Sequence, residues 1–238
     1  MKIAGLKTGD WKILSPHSSL FTPYSLLLTS WLLALIGYFG AWVGRRAAAL
    51  AWNAYDLFDL LRLLPEIETG ALSVNLQTLR LPLVGLAVLL PMLLAQAALG
   101  WRIVGALLGA GMALATLPPY PEIVSAWRTP GWRIPFWWGV GAMLAAGLAV
   151  WIAPRLGRYR PWLMLAWVAV TGLPAAATLH RLLPALRALH AAPIQPGWGF
   201  WVCMAGLFGI AVLLWIQGFH HDLANNVETL ERSNVSTF

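Results

Sequence analysis

Residues 44–80 read GRRAAALAWNAYDLFDLLRLLPEIETGALSVNLQTLR, and this stretch decides the layout of the chain. It is the longest segment that cannot lie in lipid. It holds Asp56, Asp59, Glu66 and Glu68, four of the nine acidic residues, together with Arg45, Arg46, Arg62 and Arg80. From Leu81 to about Gly218 the sequence is apolar, broken by Pro, Gly, Trp and Arg.

The first half of the stretch predicts a helix over residues 47–64. It contains no Gly or Pro and is rich in Ala and Leu, both strong helix formers. Pro65 stops it, because proline disfavours helical backbone in the residue before it. Asn53, Asp56, Asp59 and Arg62 recur at every third position as a drifting polar row. Leu50, Ala54, Leu57, Leu61 and Leu64 supply the apolar face. A helix of this kind lies at a membrane interface or caps a bundle. The polar row has two readings. It is a wet face on which Asp59 and Arg62 form a weak ion pair, or it is a row of carboxylates facing a site.

The composition is that of an integral membrane protein. The chain has 238 residues, 59% hydrophobic and 11% charged, where a soluble domain averages about 25% charged. The net charge of +7 does not imply nucleic-acid binding. The arginines sit beside apolar runs, where topology and anionic headgroups use them. Cys203, the one cysteine, lies inside an apolar run and supports neither an intramolecular disulfide nor a thiolate metal cluster. The first apolar run continues too long for a cleaved signal peptide.

Six spans are predicted, at about 20–43, 81–99, 103–117, 136–152, 161–179 and 200–218, since about 20 apolar residues cross about 30 Å of hydrocarbon. Residues 1–19 form an N-terminal tail and 219–238 a C-terminal tail that frays after at most a short helical extension. Gly100, Trp101 and Arg102 break the second span from the third. The links after the first, third and fifth spans are long and the other two short. The fold class is therefore all-α integral membrane, as three hairpins whose long links share one face. A second interfacial helix is expected over 181–190. Pro130-Gly131-Trp132 and Pro196-Gly197-Trp198 open two of the spans and suggest an internal repeat or recurring interfacial turns. Gly105 with Gly109, Gly141 with Ala145, and Ala205 with Gly209 offer small-residue helix contacts. Lysine and arginine divide equally between the two faces. The density of Arg155, Arg158 and Arg160 in one short turn assigns the termini and short turns to the cytoplasm of a cell membrane.

No phosphate loop, dinucleotide fingerprint, zinc-protease motif or nucleophile elbow occurs. The histidines, His17, His180, His190, His220 and His221, all lie at or beyond span ends, which disfavours haem held between helices. No cofactor and no metal site is expected. Ionisable residues inside the spans are nearly absent, which disfavours proton-coupled transport. If the chain is an enzyme, its groups are Asp56, Asp59, Glu66, His180 and His190 on the long-link face. Acidic residues on an interfacial helix in the first link resemble multi-pass glycosyltransferases that use lipid-phosphate sugars. The resemblance covers this link alone, and those enzymes usually carry more spans and a larger external domain. It implies Asp56 or Asp59 as base and arginines holding phosphate. The reading favoured by composition is a protein without catalysis of its own, a structural, assembly or permease-like subunit. Its partners would be the bilayer and other membrane subunits, not nucleic acid. A membrane enzyme or a small-solute transporter stands as the alternative.

Overall fold

The computed structural model describes residues 23–44, 51–62, 74–117, 122–190 and 194–235, and these are mostly helical. The helices are α1 (Pro23–Phe39), α2 (Ala54–Arg62), α3 (Leu81–Leu93), α4 (Leu99–Leu114), α5 (Pro130–Ile152), α6 (Arg160–His190) and α7 (Trp198–Val235). Two-residue strands β1 (Val43–Gly44) and β2 (Gln195–Pro196) pair antiparallel.

The centre of the molecule is α3, whose sequence LPLVGLAVLLPML is apolar on every side. A helix without a polar face must be enclosed. Here α1, α4, α5 and α6 all pack against it. Two tryptophans reach it from outside: Trp31 of α1 donates to Leu86 O at 2.9 Å, and Trp167 of α6 donates to Gly85 O at 3.2 Å. The longest packing seam joins α1 to α7. Glycines make it close. A Cβ on Gly37 would overlap the Cys203 backbone nitrogen and stand 2.6 Å from its Cα. One on Gly206 would overlap the Ala34 backbone nitrogen and stand 2.6 Å from Ser30 O.

The helix ends sort into two poles. At the first, Val43 and Gly44 pair with Pro196 and Gln195, Val43 bridges Trp52, and Gly197 N donates to Trp42 O at 2.7 Å. The links after α1 and α6 are thus stitched together. At the second pole, the 3-10 turns Leu94–Gln96 and Ala153–Tyr159 touch, with Ala95, Ala149 and Ala153 packed between them. Tyr24, near the start of α1, donates to Gln96 there.

Three stretches are long and apolar enough to cross a membrane. They are Leu76–Gln96, Trp198–Phe219, and Trp132–Ala188, which the turn at Gly157 divides into α5 and α6. Tyr24–Phe39 and Leu99–Leu114 are apolar but shorter. At about 1.5 Å per residue they fall short of a full bilayer core when upright.

Several boundaries differ from the sequence expectation. The predicted helix at 47–64 starts only at Ala54, and 51–53 is extended because Trp52 pairs with Val43. Residues 45–50 and 63–73 lie outside the described residues, as does the tail 1–19. The expected interfacial helix at 181–190 is not separate: it is the end of α6, which runs unbroken through Pro174 and Pro184. The second and third apolar helices part at Ala97 and Ala98, which are extended, and Trp101 and Arg102 fall in the first turn of α4. Arg102 Nε donates to Ala97 O at 2.8 Å and so closes that turn. The last helix does not fray after Gly218, since α7 continues to Val235. The two Pro-Gly-Trp turns also differ: Trp132 is buried and Trp198 is 58% exposed.

Gly157 carries φ 50° and ψ −122°, a backbone region essentially confined to glycine. Nothing stands within 4 Å of a Cβ built there, so any cost of substitution is conformational rather than a clash. Gly157→Ala is expected to lower stability by about 1–3 kcal/mol. Thermal unfolding of the detergent-solubilised protein checks it, and an unchanged midpoint would show that the turn relaxes freely.

Candidate functional site

The first pole gathers the chain's polar chemistry around α2. Asn53 caps this helix. Its Oδ1 accepts from Asp56 N at 2.8 Å, its carbonyl accepts from Leu57 N at 2.9 Å, and its Nδ2 donates to Asp56 Oδ2 at 2.8 Å. This is a reciprocal cap of the Asn-x-x-acid kind, with a carboxylate at the positive end of the helix. Asp56 is exposed, and its side chain holds the cap. On the other side of α2, Ala54, Leu57, Phe58 and Leu61 are buried at helical spacing, against α1 and the 3-10 turn Leu76–Arg80.

Asn75 starts that turn by accepting from Gln77 N, and Thr78 Oγ1 pins it to Thr178 Oγ1 of α6 at 2.6 Å. The turn ends at Arg80, which sits at the N-cap of α3. A cation is unfavourable at a helix N-terminus and costly when buried. Arg80 is nonetheless 3% exposed. Several groups compensate. Nη2 pairs with Asp59 Oδ1 at 3.1 Å. Nη1 donates to Thr116 O at 2.9 Å, just past the C-terminus of α4, where the helix dipole favours positive charge. The guanidinium lies 3.8 Å from the Phe58 ring centre, and 5.2 Å and 5.4 Å from those of Tyr55 and Trp132, all within cation–π range. One side chain therefore joins α2, α3, the end of α4 and the start of α5.

The predicted site residues fall into three groups. Asp56 and Asp59 share α2, the first in the helix cap and the second, 51% exposed, against Arg80. His180 is exposed on α6. Glu66 lies outside the described residues, as do the side chains of His190 and Arg62. Asp59 pairs with Arg80, which the fold brings in from the next element; the expected pairing with its helical neighbour Arg62 falls on a side chain outside the described residues. Sequence reasoning treated Arg80 as a surface cation and Trp132 as a belt residue. No local pattern marks either, since their partners are 21 or more positions distant. The Asn53 cap involves only neighbouring residues, but the sequence reading began the helix at residue 47 and so placed Asn53 inside it.

The arrangement holds rather than reacts. A guanidinium stays protonated at any accessible pH and is no proton shuttle. At 3% exposure Arg80 offers no surface on which a phosphate could lie. The gap lined by Gln77, Arg80, Val84, Thr116, Pro135 and Trp138 has no volume for a water molecule. Among the described residues, no group of three or more His, Cys, Asp or Glu is placed to hold a metal ion. No protein-family model, curated protein or solved structure matches this chain, so its own geometry carries the functional reading.

Proposed function

We propose that the chain is a six-span protein of a cell membrane, three helical hairpins with both termini cytoplasmic. It acts without catalysis of its own, as a structural, assembly or permease-like subunit of a larger membrane complex. One observation carries this: Asp56 caps α2 and Asp59 pairs with Arg80, so the two acidic groups on α2 serve to fasten the links. A catalytic carboxylate needs an open approach for substrate and a perturbed proton affinity. Asp56 is exposed on a helix end, and the described residues form no cleft around it. The apolar exterior adds support. Leu107, Leu144, Leu173 and Phe208 are each more than 60% exposed on four different helices, as a lipid- or subunit-facing surface requires.

The test combines isolation with one substitution. Extracted in mild detergent from its native membrane, the protein should migrate in native mass spectrometry well above the 26.0 kDa of one chain, with a second polypeptide in fixed ratio. Asp56→Asn should complement a deletion strain as well as wild type, since an asparagine still accepts hydrogen bonds. Isolation as a lone chain, together with an Asp56→Asn protein that accumulates normally yet fails to complement, would replace this reading with the membrane-enzyme alternative.

A further inference from the structure

Two helices carry tryptophans near both ends of their outer faces, at the same spacing. On α5, Trp137 and Trp151 are 53% and 61% exposed and stand fourteen positions apart. On α7, Trp201 and Trp215 are 61% and 57% exposed and also stand fourteen positions apart. At the rise of an α-helix each pair spans about 21 Å. The exposed residues between them are apolar, among them Leu144 on α5 and Phe208 on α7. Exposed Arg133 and Arg155 stand one turn beyond the α5 pair, so the apolar band ends well inside the helix. The other outward helices agree. On α6 the exposed residues from Leu163 to Ala177 are all apolar, again over fourteen positions, and exposed His180 and Arg181 close the run. On α1 exposed Tyr24 and Phe39 are fifteen positions apart. The whole of α4 is 16 residues, with Trp101 exposed in its first turn. These two helices therefore cover about 22–24 Å. Tryptophan settles where hydrocarbon meets headgroup, because its ring is apolar and its N–H is polar. A pair on one helix face thus measures the hydrocarbon between them, and any tilt makes the true thickness smaller.

We infer that the outer belt of this protein fits a thin bilayer and takes phospholipids with acyl chains shorter than oleoyl. The inference deepens the proposed membrane reading and rests on it. A typical hydrocarbon core is about 30 Å thick. Around a belt of about 21–24 Å, such a core must compress, or it must cover Arg133, Arg155, His180 and Arg181. Compression and buried charge are both unfavourable, and shorter acyl chains avoid both. Five outward helices share the short band, so a kink or tilt in one of them does not remove the mismatch. The enclosed helix α3 faces no lipid and does not set the thickness.

The exposed tryptophans supply the measurement. The full chain is reconstituted into brominated dioleoylphosphatidylcholine, whose bromines quench tryptophan fluorescence on contact. A second, unbrominated phosphatidylcholine is then mixed in: dimyristoleoyl, dipalmitoleoyl, dioleoyl or dierucoyl, all fluid and all with one headgroup. Fluorescence recovers as the second lipid displaces the brominated one from the belt, which gives its relative binding constant. The dimyristoleoyl or dipalmitoleoyl lipid should bind tightest, at least about twofold tighter than dioleoyl, with dierucoyl weakest. The thermal unfolding midpoint in each pure lipid should follow the same order. Equal binding across the series, or tightest binding of dioleoyl or dierucoyl, overturns the inference and leaves the membrane reading standing. Absence of quenching by the brominated lipid would show that the tryptophans do not face lipid, and would overturn the membrane reading together with the inference.

Discussion

Arg80→Ala should destabilise the protein by about 3–5 kcal/mol, the range seen when one partner of a buried charged network is removed. The loss has identifiable parts. Thr116 O is left without its 2.9 Å donor, at a cost of about 1–3 kcal/mol for a buried acceptor. Three ring faces lose a cation, each worth on the order of 0.5–1 kcal/mol. The volume vacated between Phe58 and Trp132, whose centres are 6.2 Å apart, becomes a cavity. Relief of the arginine's own desolvation offsets part of this. The companion substitution behaves differently. Asp59 is 51% exposed, so its carboxylate is screened by water, and Asp59→Asn should cost only about 1 kcal/mol. Arg80→Met should fall between the two, since it refills the space but leaves Thr116 O unpaired. Thermal or denaturant unfolding in detergent ranks the three. If Asp59→Asn proves as damaging as Arg80→Ala, the ion pair rather than the aromatic cage holds the pole together.

A second large effect is expected at the α1–α7 seam. Gly206→Val and Gly37→Val should each leave little monodisperse folded protein. The atoms that an added side chain would meet are main-chain atoms: Ala34 N and Ser30 O for Gly206, Cys203 N and Cα for Gly37. Flexible side chains can swing away from an added methyl, but helix backbones cannot. The two helices must therefore separate along their contact. Overpacking typically costs about 1–3 kcal/mol and more where relaxation is blocked, so each change should exceed about 3 kcal/mol. Gly111→Val and Gly141→Val are the matched controls. Nothing stands within 4 Å of a Cβ at either position, and valine is a slightly better helix former than glycine. Both should be within about 0.5 kcal/mol of wild type. Fluorescence-detected size exclusion separates the two pairs, and a well-folded Gly206→Val protein would mean that α1 and α7 do not meet here.

This seam shows what small-residue patterns convey. The spacing of Gly105 with Gly109 marks a true contact, since Gly109 sits against Ala87 O and Gly105 against Leu94. Gly141 faces open space, and Ala205 is exposed while Gly209 meets Ser30. Gly37 and Gly206, where the α1 and α7 backbones meet, belong to none of the spaced pairs chosen from sequence. Spacing records which residues share a helix face. It does not record which face meets a neighbour.

The sequence by itself determined the membrane-like composition and the approximate position of each apolar helix. Both depend on local quantities: the length of an apolar run and the proline or polar break that ends it. The reciprocal cap at Asn53 and Asp56 is also local, although the sequence reading carried the helix back to residue 47 and did not mark it. Tertiary structure alone decided that α3 is enclosed, that α1 closes on α7, that α6 runs on through His190, and that Arg80 leaves the surface for a cage of Tyr55, Phe58 and Trp132. A buried arginine and a surface arginine look identical along a chain. They differ in whether distant elements bring an acceptor carbonyl, a carboxylate and aromatic faces to within a few ångströms, and that proximity arises only when the helices pack.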